Sequence, residues 1–438
     1  MNKISVLPDS TLNGEIVIPS SKPHIQRALL LALLNEETTT VNNISWCSET
    51  EDLLIALQQF GLQILDRSEN HIILKGTRPI YHCNGIINAN GSGMLFRISI
   101  ALASLTEKEV RIKCNDSLFN RESLYDESFF SYLNVFVEKR EENIVVVSRR
   151  IYPSQSPLNF NKSTQFLSFS LLVSPFIKGK NILINNNGET KNGYVDITIK
   201  MMALLGSKIT RIGSTFISTE YQPKDITINI PSDFTSLSYI ASSILSINRP
   251  SKVTIKSYYL GNTINEKVLF DIYKKFGMNL SYNPIKNDLN IILEKEHNAI
   301  TDEIHLNELP SVATNIIAAA INGNGDITFS GLNAINNHKC QRAFIINENI
   351  RMMGGKSYLI FNDTGAFNKI RINGNGPLKG GAEIFSYYDH RICASNIIVS
   401  LGAREPTTIN HIHKLDDGFP GFIQSLSSLG ARISKLTV

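Results

Sequence analysis

The chain has 438 residues, 42% of them hydrophobic and 19% charged, which suits two or three globular domains and excludes a disordered or collagen-like polymer. A formal charge of +4 gives no reason to expect nucleic acid as a partner, yet leaves room for a local cationic pocket and an anionic small molecule. No apolar run approaches the roughly 18 residues of a membrane span, and the five scattered cysteines (Cys47, Cys83, Cys114, Cys340, Cys393) form no CxxC and meet no paired histidines, so a reduced cytoplasmic protein without signal peptide, membrane contact or structural metal is expected.

Read in order, one unit recurs along the chain: an apolar helix, a polar turn, a β-branched strand, a second amphipathic helix and a closing Gly or Asn. The second helices end at Gly61, Asn134, Gly206, Gly277, Gly354 and Gly430, and subtraction gives spacings of 73, 72, 71, 77 and 76 residues. Gly and Asn are the residue types that tolerate the left-handed backbone of a helix C-cap. Helix-end glycines occur in any α/β protein, but their even spacing with the same order of elements points to six repeats, three per domain. The expected domains are residues 19–231, and residues 1–18 together with 232–438, with short crossings near 18–22 and 228–234.

Four segments, each at the start of a repeat's first helix, carry candidate chemistry. In GEIVIPSSKPHIQRALLLALL a strand over Glu15–Pro19 runs into Ser20 and Ser21, Pro23 opens a helix, and Lys22 and Arg27 lie near its positive end. An ordinary capped helix with two surface cations reads the same way. In INANGSGMLFR the turn around Gly91 and Gly93 allows close backbone approach to a phosphate, with Arg97 one helical turn inside; structural turns of this kind are commoner. Ser163, Thr164 and Gln165 in NKSTQFLSFSLL serve either as plain caps or as hydrogen-bonding partners of a hydroxylated, phosphorylated ligand. In SYYDHRICASN, Asp389 is placed to cap a helix that carries His390 and Arg391 at its start. If the repeats surround each domain's axis, these helix starts converge on a cationic cleft for two phosphate-bearing molecules.

These segments resemble the 5-enolpyruvylshikimate-3-phosphate synthase family along essentially the whole chain. SSKPHIQRALLLALL is similar to its GSK-x-x-x-x-RALLLAAL, GSGMLFR to its AGTAMR loop, and STQFLSFSLLVSPF to its SSQFLTALLMTAPL. NGYVDITIKMMALLG is similar to PYIDITLNLMKTFG, and YYDHRICASNIIVSL to YNDHRMAMCFSLVAL. The resemblance implies a two-domain inside-out α/β barrel, the enolpyruvyl transferase fold, built from six βαβαββ units and closing on its ligands. It also implies cofactor-free transfer of enolpyruvyl from phosphoenolpyruvate to shikimate 3-phosphate in aromatic amino-acid biosynthesis, by a monomer acting on small anionic substrates. Residue by residue, it places Lys22, Arg27, Ser163, Thr164, Gln165, Tyr194, Ser311 and His338 on the ring substrate. Gly93, Arg97, Arg121, Gln165, Arg342 and Arg391 fall on phosphoenolpyruvate.

The likeness breaks where the family moves protons. Ser311 stands for the family's catalytic Asp, Lys339 for its Glu, His338 for the Lys before that Glu, and Asp417 for its late Lys. Pro23 and Met94 replace a Ser and a Thr, and Arg121, followed by Glu122, is the nearest match to an Arg-Pro pair. Lys22, Glu308 and Lys339 are the candidates left for proton transfer. Lys339 and Asp417 are expected to face each other as an ion pair of reversed polarity. A relative acting by addition and elimination on another phosphorylated or hydroxylated ring, and a non-catalytic ligand-binding relative, are the alternatives. The UDP-N-acetylglucosamine branch is disfavoured, since the spacing from Cys114 to Arg121 does not match it; an idle, buried Cys114 is expected.

Overall fold

The computed structural model describes residues 3–150, 164–177, 182–184, 193–297, 302–336, 340–362 and 365–436. The chain divides into a continuous unit, Ser20–Ile230, and a split unit, Met1–Pro19 with Pro231–Val438. The continuous unit carries α1 (Lys22–Leu34), α2 (Ser48–Gln59), α3 (Gly93–Ala103), α4 (Glu127–Leu133), α5 (Thr164–Val173) and α6 (Gly193–Ala203). The split unit carries α7 (Phe234–Ile247), α8 (Ile264–Lys275), α9 (Ala313–Ala320), α10 (Arg342–Met352), α11 (His390–Leu401) and α12 (Phe422–Ser428). Two four-residue helical turns, Asp116–Phe119 and Asn333–Asn336, accompany them.

The odd-numbered helices are apolar around most of their circumference, so they lie inside. α9 is buried at every position, and α1 from Ile25 to Leu34. In the continuous unit Leu30 and Leu34 of α1, Ile98 and Leu102 of α3, and Phe169 and Val173 of α5 line one small apolar crevice. α7, α9 and α11 pack on one another in the split unit. There Asn315 donates to Ser238 Oγ over 3.1 Å and accepts from Ser395 Oγ over 2.9 Å, which satisfies the polar groups where the three helices meet.

The sheets lie around these helices and repeat one pattern. Ile86–Asn90 runs parallel to Val110–Cys114, which pairs antiparallel with Ile144–Arg149, with Val135–Lys139 outermost. Glu303–His305, Asn324–Ser330, Phe367–Asn375 and Lys356–Phe361 keep the same order. With their helices these segments are βαβαββ units. Ile182–Ile184, Thr215–Ser218 and Ile209–Ile212 make a three-stranded sheet.

The remaining sheets exchange strands between distant parts of the chain. Ile226–Asn229 supplies the parallel first strand beside Thr38–Asn42, and Asn13–Ile16 does so for Ser251–Ile255. Lys3–Val6 fills the place between Thr407–Asn410 and Ile433–Leu436. Both crossings contain proline, which donates no ladder hydrogen bond. The strands stop at Ile16 and Asn229, short of Pro19 and Pro231; the first had been expected to run on to Pro19. Gly61, Asn134, Gly206, Gly277, Gly354 and Gly430 all adopt positive φ, from 57° at Asn134 to 111° at Gly430, the conformation that selects those two residue types.

Candidate active site

In the continuous unit, the starts of α1, α3, α5 and α6 carry the polar candidates. Pro lies in the first turn of α1, where its missing N–H costs nothing, and that turn holds no acidic residue of its own. Lys22 at its start pairs with Glu49 of α2, Nζ to Oε2, at 2.7 Å. Glu49 was not singled out from the sequence. The acidic run SETED announced it, but such a run also suits any helix N-terminus.

Arg27 is buried and spent on the protein itself. Its Nε donates to Thr198 Oγ1 at 2.7 Å, Nη1 to the Pro23 carbonyl at 2.9 Å, and Nη2 to the Tyr194 carbonyl at 3.1 Å. Burial pushes this guanidinium down to about 10, while the field of Tyr194 opposes the shift. Arg27 thus ties α1 to α6. Tyr194 reaches it through its backbone, and Thr198, the side chain that fixes the fork, has no counterpart among the sequence candidates.

A second cation cluster forms at α3. Arg97 Nη1 donates to Gln165 Oε1 at 2.8 Å and to the Gly93 carbonyl at 3.1 Å, while its guanidinium lies 4.7 Å from the Phe166 ring centroid. A Cβ on Gly93 would stand 3.3 Å from both Arg97 Nη1 and Arg121 Nη1, so glycine leaves space where two guanidinium groups converge. Burial first, and the Arg121 charge second, lower Arg97 to about 9, with Asp126 opposing. Burial also lowers Arg121. Arg97 Nε and Arg121 Nη2 are buried without a hydrogen-bond partner in the protein. Two partly desolvated like charges with unmade hydrogen bonds are an arrangement that a bound anion would relieve. Phosphoenolpyruvate at about a hundred times its Kd should therefore stabilise this unit by about 2.7 kcal/mol, read as a rise in melting temperature. Arg97→Met should remove most of that rise; an unchanged rise would place the anion elsewhere.

In the split unit the start of α11 organises the charges. Asp389 caps the helix, its Oδ1 accepting from the Arg391 and Ile392 amides at 2.9 and 3.4 Å. Its Oδ2 accepts both Nε and Nη2 of Arg342, at 2.9 and 2.8 Å. Burial alone would raise this carboxyl, but Arg342, His390 and the Arg391 amide hold it well below the usual carboxylate range. Arg391 Nη1 donates to the backbone carbonyl of Ser311, whose own hydroxyl is buried without a hydrogen-bond partner. Glu308, three residues before Ser311, is anchored by its carbonyl, which accepts from Asn265 Nδ2.

Thr164 opens α5 beside Gln165. Ser163, His338 and Lys339 lie outside the described residues, and with Lys339 goes the expected pair to Asp417. Asp417 itself closes the 3-10 turn Ile412–Asp417. The next residue, Gly418, passes so close to α11 that a Cβ would come within 2.7 Å of His390 Cδ2. Cys114 is buried, and burial pushes its thiol up to about 11, so it is not a ready nucleophile.

Among solved structures, two of EPSP synthase from Acinetobacter baumannii align at a TM-score of 0.77 with 19% identity, covering 100% of both chains. The protein accordingly has the two-domain α/β architecture of the enolpyruvyl transferases. Its sequence matches the family EPSP synthase (3-phosphoshikimate 1-carboxyvinyltransferase) over residues 6–426, and the chain belongs to that family. Similar curated relatives are the 3-phosphoshikimate 1-carboxyvinyltransferases of Methanocaldococcus jannaschii, 24% identical over 96% of this chain and 97% of its own, and of Clostridium acetobutylicum, 26% identical over 99% of each. Among the described residues no helix is long and apolar enough to cross a membrane.

Proposed function

We propose that this protein transfers the enolpyruvyl group of phosphoenolpyruvate to the 5-hydroxyl of shikimate 3-phosphate, as a cytoplasmic monomer in aromatic amino-acid biosynthesis. Family membership across residues 6–426 carries this reading. Chemically, C3 of phosphoenolpyruvate gains a proton while the hydroxyl oxygen bonds to C2 and loses its own. The tetrahedral adduct then expels phosphate, and a C3 proton leaves to restore the double bond. Cations are needed for two phosphates and a carboxylate throughout.

Gly93, Arg97, Arg121, Gln165, Arg342 and Arg391 are assigned to phosphoenolpyruvate. Lys22, Ser163, Thr164, Gln165, Tyr194, Ser311 and His338 are assigned to the ring substrate, with Arg27 positioning Tyr194 through its carbonyl. Proton transfer falls to Lys22, Glu308 and Lys339. Lys22, whose Nζ lies 2.7 Å from Glu49 Oε2, is assigned to proton exchange with the bound ligand.

Ser311 favours a second reading, in which another phosphorylated or hydroxylated ring undergoes addition and elimination, because a hydroxyl there is a far weaker base than a carboxylate. Coupled phosphate release separates the two. Release that requires both phosphoenolpyruvate and shikimate 3-phosphate supports the family reaction. Binding of the ring without release supports the second reading or a ligand-binding protein.

A further inference from the structure

Among the described residues, the aromatic side chains that sit on left-handed backbone meet at one corner of the split unit. They are Tyr387, Tyr388 and His411, with φ of 48°, 59° and 61°. Bulky residues take this conformation at a steric cost that Gly and, to a lesser degree, Asn escape. In the family segment YNDHR an Asn stands where this chain has Tyr388, so the tyrosine meets a cost that the asparagine would not.

Strain of this kind persists where the surroundings over-determine it. Parallel pairing of Glu383–Phe385 with Thr407–Asn410 brings Ser386 beside His411. The Ser386 hydroxyl lies 2.9 Å from the Asn410 carbonyl and 2.7 Å from that of His411 and donates to them. The Asp389 amide closes the turn on the Ser386 carbonyl at 2.9 Å. A tight turn with positive φ at both central residues ordinarily selects Asn and Gly there. The Tyr388 ring instead lies on the His411 imidazole, with centroids 4.3 Å apart and planes 24° from parallel. Tyr388 is 56% exposed, so the stack, more than burial, fixes it.

What the corner holds is Asp389. This residue ends the turn, caps α11 and grips Arg342 with Oδ2, while Arg391 follows two residues later. A shift of the turn displaces a carboxylate that is 2% exposed, and with it both arginines. We propose that Tyr388 is a positioning residue for phosphoenolpyruvate: stacked on His411, it keeps the Ser386–Asp389 turn left-handed and so sets Asp389, Arg342 and Arg391. This rests on the assignment of those two arginines to phosphoenolpyruvate in the proposed function.

The test compares three variants. Tyr388→Gly accepts the backbone but removes the ring, His411→Ala removes the other half of the stack, and Tyr388→Phe keeps it. The first two should raise KM for phosphoenolpyruvate about tenfold, the upper worth of one aromatic pair, and leave kcat within about twofold. Combined, they should do no more than either alone, because the same interaction is lost once. Tyr388→Phe should retain the native KM. Without ligand, hydrogen exchange at the Arg391 and Ile392 amides, which Asp389 holds, should quicken in Tyr388→Gly and His411→Ala but not in Tyr388→Phe. Unchanged exchange and KM in the first two variants overturn the proposal. So does an equal loss in Tyr388→Phe, since the phenol hydroxyl would then be the group that matters. Faster exchange in a protein whose native form binds no phosphoenolpyruvate overturns the reading of the reaction and leaves Tyr388 as the holder of Asp389.

Discussion

Replacing Arg342 by methionine is expected to destabilise the split unit by about 3–5 kcal/mol at pH 8. The guanidinium is 4% exposed and delivers two hydrogen bonds to one oxygen of Asp389, itself 2% exposed. Its removal leaves a buried carboxylate with two helix amides, the Cys340 thiol at 3.7 Å and the charge of His390 for support. The pH dependence then changes sign. In the intact protein the Asp389 carboxyl is depressed, so its contribution is present above the ordinary Asp value of about 3.9 and is lost only in stronger acid. Between pH 8 and 5 it stays constant. Without Arg342, burial dominates and raises the carboxyl, so the charged form is penalised at high pH and relieved as pH falls through the raised value. The deficit should therefore shrink at pH 5. Hydrogen exchange of the α11 amides is the suitable measurement, because the single tryptophan, Trp46, lies in the continuous unit and fluorescence would report there. Equal deficits at the two pH values would show that Asp389 does not carry the charge assigned to it.

The six repeats were legible because each ends on a backbone conformation that only a few residue types accept. Gly61 and Asn134 differ in chemistry but share a left-handed φ, and the spacing of such marks survives wholesale change of the surface. Helix starts were legible for a similar reason: Asp389 and Pro23 announce N-termini through local hydrogen bonding or ring geometry. Partners distant in sequence were not. Nothing in KISV says that Lys3–Val6 will pair with Thr407–Asn410, since any β-branched strand offers the same ladder groups. Nor could Arg27 be recognised as a tether, because its arginine looks the same whether Thr198 or a substrate receives the guanidinium. Glu49 escaped for a related reason: it could be a dipole partner of its own helix, and only its distance to Lys22 decides otherwise.

Introducing a carboxylate at position 311 is expected to raise turnover with phosphoenolpyruvate and shikimate 3-phosphate by about 10²-fold, the lower end of what a positioned acid or base contributes. The site is prepared for it. The Ser311 backbone is gripped by Arg391, and the hydroxyl is buried with no hydrogen-bond partner. Aspartate adds one carbon, one oxygen and a charge there, and the neighbouring guanidinium compensates that charge where an apolar wall would expel it. The hydroxyl itself titrates far outside the working range, so it cannot hold a proton between the addition and elimination steps. Glu308, fixed through its carbonyl to Asn265, is the carboxylate proposed above to act instead. Two further variants make the comparison decisive. Glu308→Gln should lower turnover in the native background, while in Ser311→Asp it should have less than a threefold effect, since the new carboxylate takes over the proton. A melting temperature for Ser311→Asp within a few degrees of the native value guards against a folding defect. If Ser311→Asp folds normally and turnover does not rise, proton transfer at position 311 does not limit this enzyme, and Lys22 with its Glu49 partner becomes the group to vary next.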